Sequence, residues 1–164
     1  MNRFIKSPVQ NLLLFFSKYC IFKRYICIQY PINARYGMVM EKLEIEKRNN
    51  TPAVVFDPAS GSLKIEGRSI PENPGEFYDE LIEWIKEYFK EPKETTTVDL
   101  NLEYVNSGSS KYLLGLFRVI KEEAQKGRNV TINWYYEEDD EAILSLGEHY
   151  KSSLKIPFNL IEFI

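Results

Sequence analysis

The sequence predicts an α/β domain with the element order β-β-α-β-α-β-α-β, a mixed sheet carrying its helices mainly on one face. Three observations predict it. Segments of period-two alternation are separated by segments of helical period from residue 71 onward, which implies parallel strands joined by right-handed crossovers. A hairpin leads the series and adds an antiparallel pair. The strands also alternate apolar and polar residues, whereas a sheet covered on both faces would show continuous apolar runs.

The hairpin is "TPAVVFDPASGSLKIEGRSI", residues 51–70. Val54, Val55 and Phe56 form its first strand, "DPASG" carries turn chemistry, and Leu63 and Ile65 alternate with Lys64 and Glu66. "PENPGEFYDELIEWIKEYFKEP" (71–92) follows as an amphipathic helix in which Phe77, Leu81, Trp84, Ile85 and Tyr88 share a face, with Pro92 as its stop. "TTTVDLNLEYV" (95–105) alternates, with Val98, Leu100, Leu102 and Tyr104 on the apolar side. A second helix is expected from about Ser109 to Gln125, burying Leu113, Leu116, Phe117, Ile120 and Ala124 and ending at Lys126 and Gly127. "NVTINWYY" (129–136) is the next strand, with Val130, Ile132 and Trp134 inward. "EEDDEAILSLGEHYKSSL" (137–154) opens with acids suited to a helix N-terminus, and "FNLIEFI" (158–164) closes the series as a strand. Asp99, Asn101, Glu103, Thr131 and Asn133 then line a largely polar face left to water or to a partner.

With 164 residues, 44% of them hydrophobic, the chain can bury a sizeable core in one domain. Its net charge of −3 hides an asymmetry: residues 1–40 hold six basic residues and no acidic one. From residue 41 onward, 15 basic residues face 24 acidic ones, a net −9. An acidic body argues against nucleic acid as a partner, since phosphate binding needs positive surface. Both cysteines, Cys20 and Cys27, fall in the basic arm, and a cysteine-free body fits a reducing cytoplasm. The expected organisation is therefore a basic arm at 1–40 and a single domain at 41–164. "LLLFF" (12–16) is followed by Lys18, Lys23 and Arg24, too short an apolar run for a bilayer span. The arm is expected to be an upstream misassigned start, with Met38 or Met40 as the true one; the alternative is a segment lying on an anionic membrane surface.

No catalytic constellation assembles. His149 stands alone in the last helical segment, and "PASGS" (58–62) lies in a hairpin turn rather than a nucleophile elbow. "EEDDE" (137–141) lacks the spacing of a calcium loop and reads as a solvated helix start. The expectation is a protein without enzymatic activity, without cofactor and without metal.

The remaining feature is "NSGSS", residues 106–110, where a strand gives way to a helix. Asn106, Ser107 or Ser109 can cap that helix, and Gly108 relaxes the backbone. Capping needs one such side chain, and here there are four. The same junction, with its free N–H donors and positive dipole end, accommodates an added anion, so a phosphoserine is the functional reading.

The segment "DLNLEYVNSGSSKYLLGLFRVIKEEAQKGRNVTI" (99–132) resembles the core of a STAS domain, the fold of bacterial anti-sigma factor antagonists. The chain is more similar still to the SiaC family of regulatory phosphoproteins, over about residues 50–163. The marks are "TPAV" (51–54), the Gly-Leu-Ile-Gly series running into "SIPENP" and "EFY" (61–78), Trp84, "LEYVNSGSSK" (102–111), and the pair Trp134 and Tyr136. The resemblance implies a STAS-like fold and a partner-switching protein. It further implies that a dedicated Ser/Thr protein kinase phosphorylates the hydroxyl residue after the asparagine and that a PP2C-type phosphatase removes the phosphate. By the same resemblance, the unphosphorylated form is expected to bind and activate a diguanylate cyclase or another output enzyme, raising cyclic di-GMP and promoting biofilm growth. The match places the phosphosite on Ser107, with Ser109 and Ser110 as alternates. Asn106, Gly108 and Lys111 complete the turn, the ammonium of Lys111 lying near a phosphate on Ser107. Gly108 departs from the serine often found there. The alternatives are a generic STAS-type anti-sigma factor antagonist, or a small ligand-binding or enzymatic domain using the polar sheet face or residues 137–141.

Overall fold

A computed structural model describes residues 40–163. Apart from Met40, the basic arm and the expectations about its start or membrane contact lie outside the described residues. The domain contains six strands, β1 (Leu43–Ile45), β2 (Ala53–Asp57), β3 (Ser62–Ser69), β4 (Thr95–Val105), β5 (Asn129–Glu137) and β6 (Phe158–Phe163). Three helices join the last four strands: α1 (Pro74–Tyr88), α2 (Ser107–Gln125) and α3 (Glu141–Leu154). The strands lie in sequence order across one sheet, antiparallel from β1 to β3 and parallel from β3 to β6. Right-handed crossovers that all step in one direction put their helices on one side of a sheet. The expected mixed sheet with one covered face is the result. Strand β1 is an addition: "LEI" is too short to show a period, and it forms because Leu43 can sit opposite Phe56 at the sheet edge.

On the covered face, Val54, Phe56, Leu63, Ile65, Val98, Leu100, Ile132 and Trp134 are all but inaccessible to water. The helices answer with Leu81, Ile85, Leu113, Leu116, Phe117, Ile120 and Tyr150. Each such side chain contributes about 1.5–3 kcal/mol relative to exposure. In α1 the stripe of Leu81, Trp84, Ile85 and Tyr88 is buried as expected, and only its first member differs: Tyr78 is fully buried and Phe77 only partly. The helix also stops at Tyr88, before Pro92, where the bonding tightens by one residue: the Lys90 N–H donates to the Glu87 carbonyl at 3.1 Å and the Glu91 N–H to the Tyr88 carbonyl at 3.2 Å. Ala124 is half-buried rather than core, and Gly127, at φ +90°, ends the chain's course after α2 as expected.

The open face carries a polar rung. Asn133 Nδ2 donates to Asp99 Oδ1 at 2.8 Å, and Asn159 Nδ2 donates to Asn133 Oδ1 at 2.9 Å, linking β4, β5 and β6. One expectation for this sheet fails. Tyr104 is 49% exposed instead of buried. Gly67 pairs with Leu102 but Arg68 pairs with Tyr104, so Glu103 is an extra residue on β4 and the alternation inverts beyond it. Glu103 reaches Lys47 at 2.6 Å, and Arg68 covers the Tyr104 ring.

The other motifs resolve as local structure. Asp57 Oδ1 accepts from Ala59 N at 2.8 Å and its Oδ2 from Ser60 Oγ at 2.8 Å, closing the hairpin turn with Gly61 at φ +72°. Asp140 caps α3, its Oδ1 accepting from Ile143 N at 2.9 Å, while Glu138 and Asp139 point to water. His149 is exposed on α3. Among the described residues no helix is long and apolar enough to cross a membrane.

Candidate functional site

The serine junction sits at the carboxyl ends of the parallel strands, where β4 passes into α2. The end of β4 is tied to β3 by the Asn106 N–H, which donates to the Ser69 carbonyl at 3.2 Å. Asn106 has extended backbone (φ −78°, ψ 166°), and its Oδ1 accepts from Ser109 N at 2.7 Å. Its carbonyl takes the first helical bond, from Ser110 N at 2.9 Å. Of the three candidate caps, Asn106 is the one that acts. The helix accordingly starts at Ser107, two residues earlier than the periodicity predicts.

The three serines have different surroundings. Ser107, the first helical residue, is exposed. The N–H groups of Ser107 and Gly108 have no acceptor within the helix, because the first turn offers none. Ser109 is 0% exposed, and its Oγ is buried without a hydrogen-bond partner. Ser110 is half-buried, with its Oγ 2.8 Å from the hydroxyl of Tyr150. Lys111 is exposed and lies four residues past Ser107, on the same helix face.

Gly108 does something other than relax the turn. Its φ is not in the left-handed region. A Cβ there would stand 3.3 Å from Pro74 Cγ and 3.4 Å from Asn106 Oδ1, so the missing side chain lets the starts of α1 and α2 lie side by side. Gly75 serves the same approach, with the Tyr112 hydroxyl 2.9 Å from where its Cβ would be. Ser107 therefore stands where two helix N-termini meet, the positive ends of two dipoles.

Two buried tyrosines underlie the turn. Tyr78 of α1 shares a 2.5 Å hydrogen bond with Ser69 Oγ and is 0% exposed. Burial pushes its phenol up to about 12, with Ser69 and the nearby Ser109 hydroxyl opposing. The Ser109 hydroxyl is close enough to have that effect without an aligned hydrogen bond. Tyr150 of α3 donates to the Ser110 carbonyl at 3.1 Å, and burial raises its phenol as well, against the Ser110 hydrogen bond. Sequence reasoning missed both residues as parts of the site. Tyr78 was present in the "EFY" mark, and Tyr150 shares a helix face with Ile143 and Gly147, but neither spacing shows that a hydroxyl reaches the serine turn.

A family profile described as SiaC family regulatory phosphoprotein matches residues 45–163. An uncharacterized protein of Pseudomonas aeruginosa strain UCBPP-PA14 is 30% identical over 119 residues, which span 73% of this chain and 94% of that protein. Among solved structures, SiaC of Pseudomonas aeruginosa superposes with a TM-score of 0.71 at 28% identity, covering 76% of this chain and 100% of the other. The crystal structure of the diguanylate cyclase SiaD in complex with its activator SiaC, from the same organism, matches with a TM-score of 0.71 at 29% identity, over 74% of this chain and 99% of the matched one. Motif, topology and profile agree over one stretch of chain: this protein belongs to the SiaC family of regulatory phosphoproteins.

Proposed function

We propose that this protein is a phosphorylation-controlled partner switch, without catalysis of its own, which in its unphosphorylated form binds and activates a diguanylate cyclase. The regulatory unit is the domain at 41–164, and the switch residue is Ser107. The observation that carries this reading is the exposure of Ser107 at the start of α2, beside two serines whose hydroxyls lie inward. A Ser/Thr kinase can reach that hydroxyl without opening the fold. The phosphate adds about −1.5 to −2 charges at pH 7 and is tolerated by the helix N-terminus, so the domain stays folded in both states. What changes is the surface. A partner that packs a small neutral hydroxyl meets a hydrated dianion, and docking is lost through desolvation and like-charge repulsion. A PP2C-type phosphatase restores binding. The Pseudomonas SiaC, named as the activator of SiaD, supports a diguanylate cyclase as the output enzyme.

The test compares wild type, Ser107→Ala and Ser107→Asp against the diguanylate cyclases of the source organism. Calorimetry gives affinity, and the rate of cyclic di-GMP synthesis gives activation. Ser107→Ala is expected to bind and activate as wild type does, and Ser107→Asp to lose at least tenfold in affinity, about 1.4 kcal/mol, with its fold intact. Equal binding by both variants would remove Ser107 as the switch.

A further inference from the structure

Three serines within four residues offer a kinase three hydroxyls, yet a switch needs one. We infer that Tyr150 is a specificity-determining residue of the switch: by holding Ser110 from beneath, it confines phosphorylation to Ser107. This rests on Ser107 being the phosphosite, as proposed above, and adds what keeps its neighbours unmodified.

Tyr150 has one hydroxyl hydrogen, and it is given to the Ser110 carbonyl at 3.1 Å. The 2.8 Å contact between the two hydroxyls must then be made with the Ser110 hydrogen, donated to the Tyr150 oxygen. A kinase's catalytic base has to reach the proton of the accepting hydroxyl. At Ser110 that proton points at a residue 1% exposed, on a helix packed beneath the turn. Ser109 is excluded differently, by complete burial. Ser107, ahead of both in the first turn, is left with its hydroxyl in water. Tyr150 is itself fixed from several sides. Its ring packs edge-on against Phe117 at 5.0 Å and Trp134 at 5.6 Å, so the hydroxyl has little freedom to release Ser110.

Replacing Tyr150 by Phe keeps the ring and its packing but removes the acceptor. The Ser110 hydroxyl then turns outward, and a second site opens on a half-buried residue. The experiment uses full-length protein isolated from its own organism, where the cognate kinase is present, with phosphopeptides mapped across residues 99–118. Wild type is expected to carry phosphate on Ser107 alone, and Ser107→Ala none in the segment. The double variant Ser107→Ala with Tyr150→Phe is expected to regain phosphate, on Ser110. A parallel double variant, Ser107→Ala with Ile143→Val, loosens α3 without touching the turn and is expected to stay unmodified. Wild type phosphorylated on Ser107 with an unmodified Tyr150→Phe double variant would overturn the inference and leave the proposed switch standing. Ser110 phosphate in wild type, or in the Ile143→Val double variant, would overturn it also. Wild type with no phosphate in this segment under any growth condition would overturn both readings.

Discussion

The guanidinium carbon of Arg68 stands 5.9 Å from the centre of the Tyr104 ring, on the open face of the sheet. That pairing exists because Glu103 is an extra residue in β4, and it moves Tyr104 from the core side to the solvent side. Tyr104→Ser, which removes the ring under Arg68 but no core contact, is expected to cost no more than about 1 kcal/mol. Leu102→Ala, two residues earlier and 3% exposed, is expected to cost about 2–5 kcal/mol. Urea denaturation of both variants checks this; equal costs would mean that β4 has no bulge.

Asn106 and Ser107 are adjacent but have separate tasks. Asn106→Ala removes the cap on Ser109 N and is expected to cost about 1 kcal/mol. Ser107→Ala removes an exposed hydroxyl and is expected to be near neutral. Ser107→Asp adds a negative charge at the first helical position, where the dipole favours it by about 0.3–1 kcal/mol. The Asp variant should therefore melt at or slightly above the wild-type temperature while losing its partner. A destabilised Asp variant would turn the loss of binding into a folding effect.

Two helical glycines are expected to respond to alanine with opposite signs. At Gly147 a Cβ would fall 2.6 Å from Trp134 Cδ1 and 2.8 Å from Leu160 Cδ2, with the indole already donating to the Ile143 carbonyl at 3.0 Å. Gly147→Ala is expected to destabilise by about 1–3 kcal/mol, since neither the ring nor the helix can give way cheaply. At Gly115 the nearest atom is Ile82 Cδ1 at 3.8 Å, an ordinary contact. Gly115→Ala is expected to stabilise by roughly 0.5–1 kcal/mol through the lower entropy of the unfolded chain. Thermal unfolding of the two variants decides.

Stability at alkaline pH is expected to depend on Tyr78. Its folded-state phenol is raised to about 12 from 10.0, so the folded state holds its proton more tightly than the unfolded chain. The contribution is fully present below pH 10 and is lost as pH rises through about 12. It amounts to order 3 kcal/mol. Tyr78→Phe should flatten the fall in stability over that window at the cost of the Ser69 hydrogen bond. An unchanged alkaline profile in the variant would assign the effect to other groups.

Most of the fold was legible because its signals are local. The strand periods at 95–105 and 129–136 and the helical stripe of Leu113, Leu116, Phe117 and Ile120 come directly from side-chain spacing. The misses have local causes too. Strand β1 has three residues, too few for a period, and the Phe77-for-Tyr78 substitution arises because both residues fit a helical face. Tyr78 wins since its hydroxyl finds Ser69 inside. The bulge at Glu103 leaves an unbroken alternating pattern in the sequence and shows only in the pairing with β3.

At the serine turn the division is sharper. By itself the sequence determined that a strand-to-helix junction rich in hydroxyls exists at 106–110, and its motif placed the chain beside one family of phosphoproteins. Composition and spacing treat Ser107, Ser109 and Ser110 as near equivalents. Only the tertiary structure told them apart, sending Ser109 into the core near Tyr78, tying Ser110 to a tyrosine 40 residues away, and leaving Ser107 in water. The physical reason is that a hydroxyl's accessibility depends on which side chains of other elements reach it, and those partners are brought together by packing rather than by any local period.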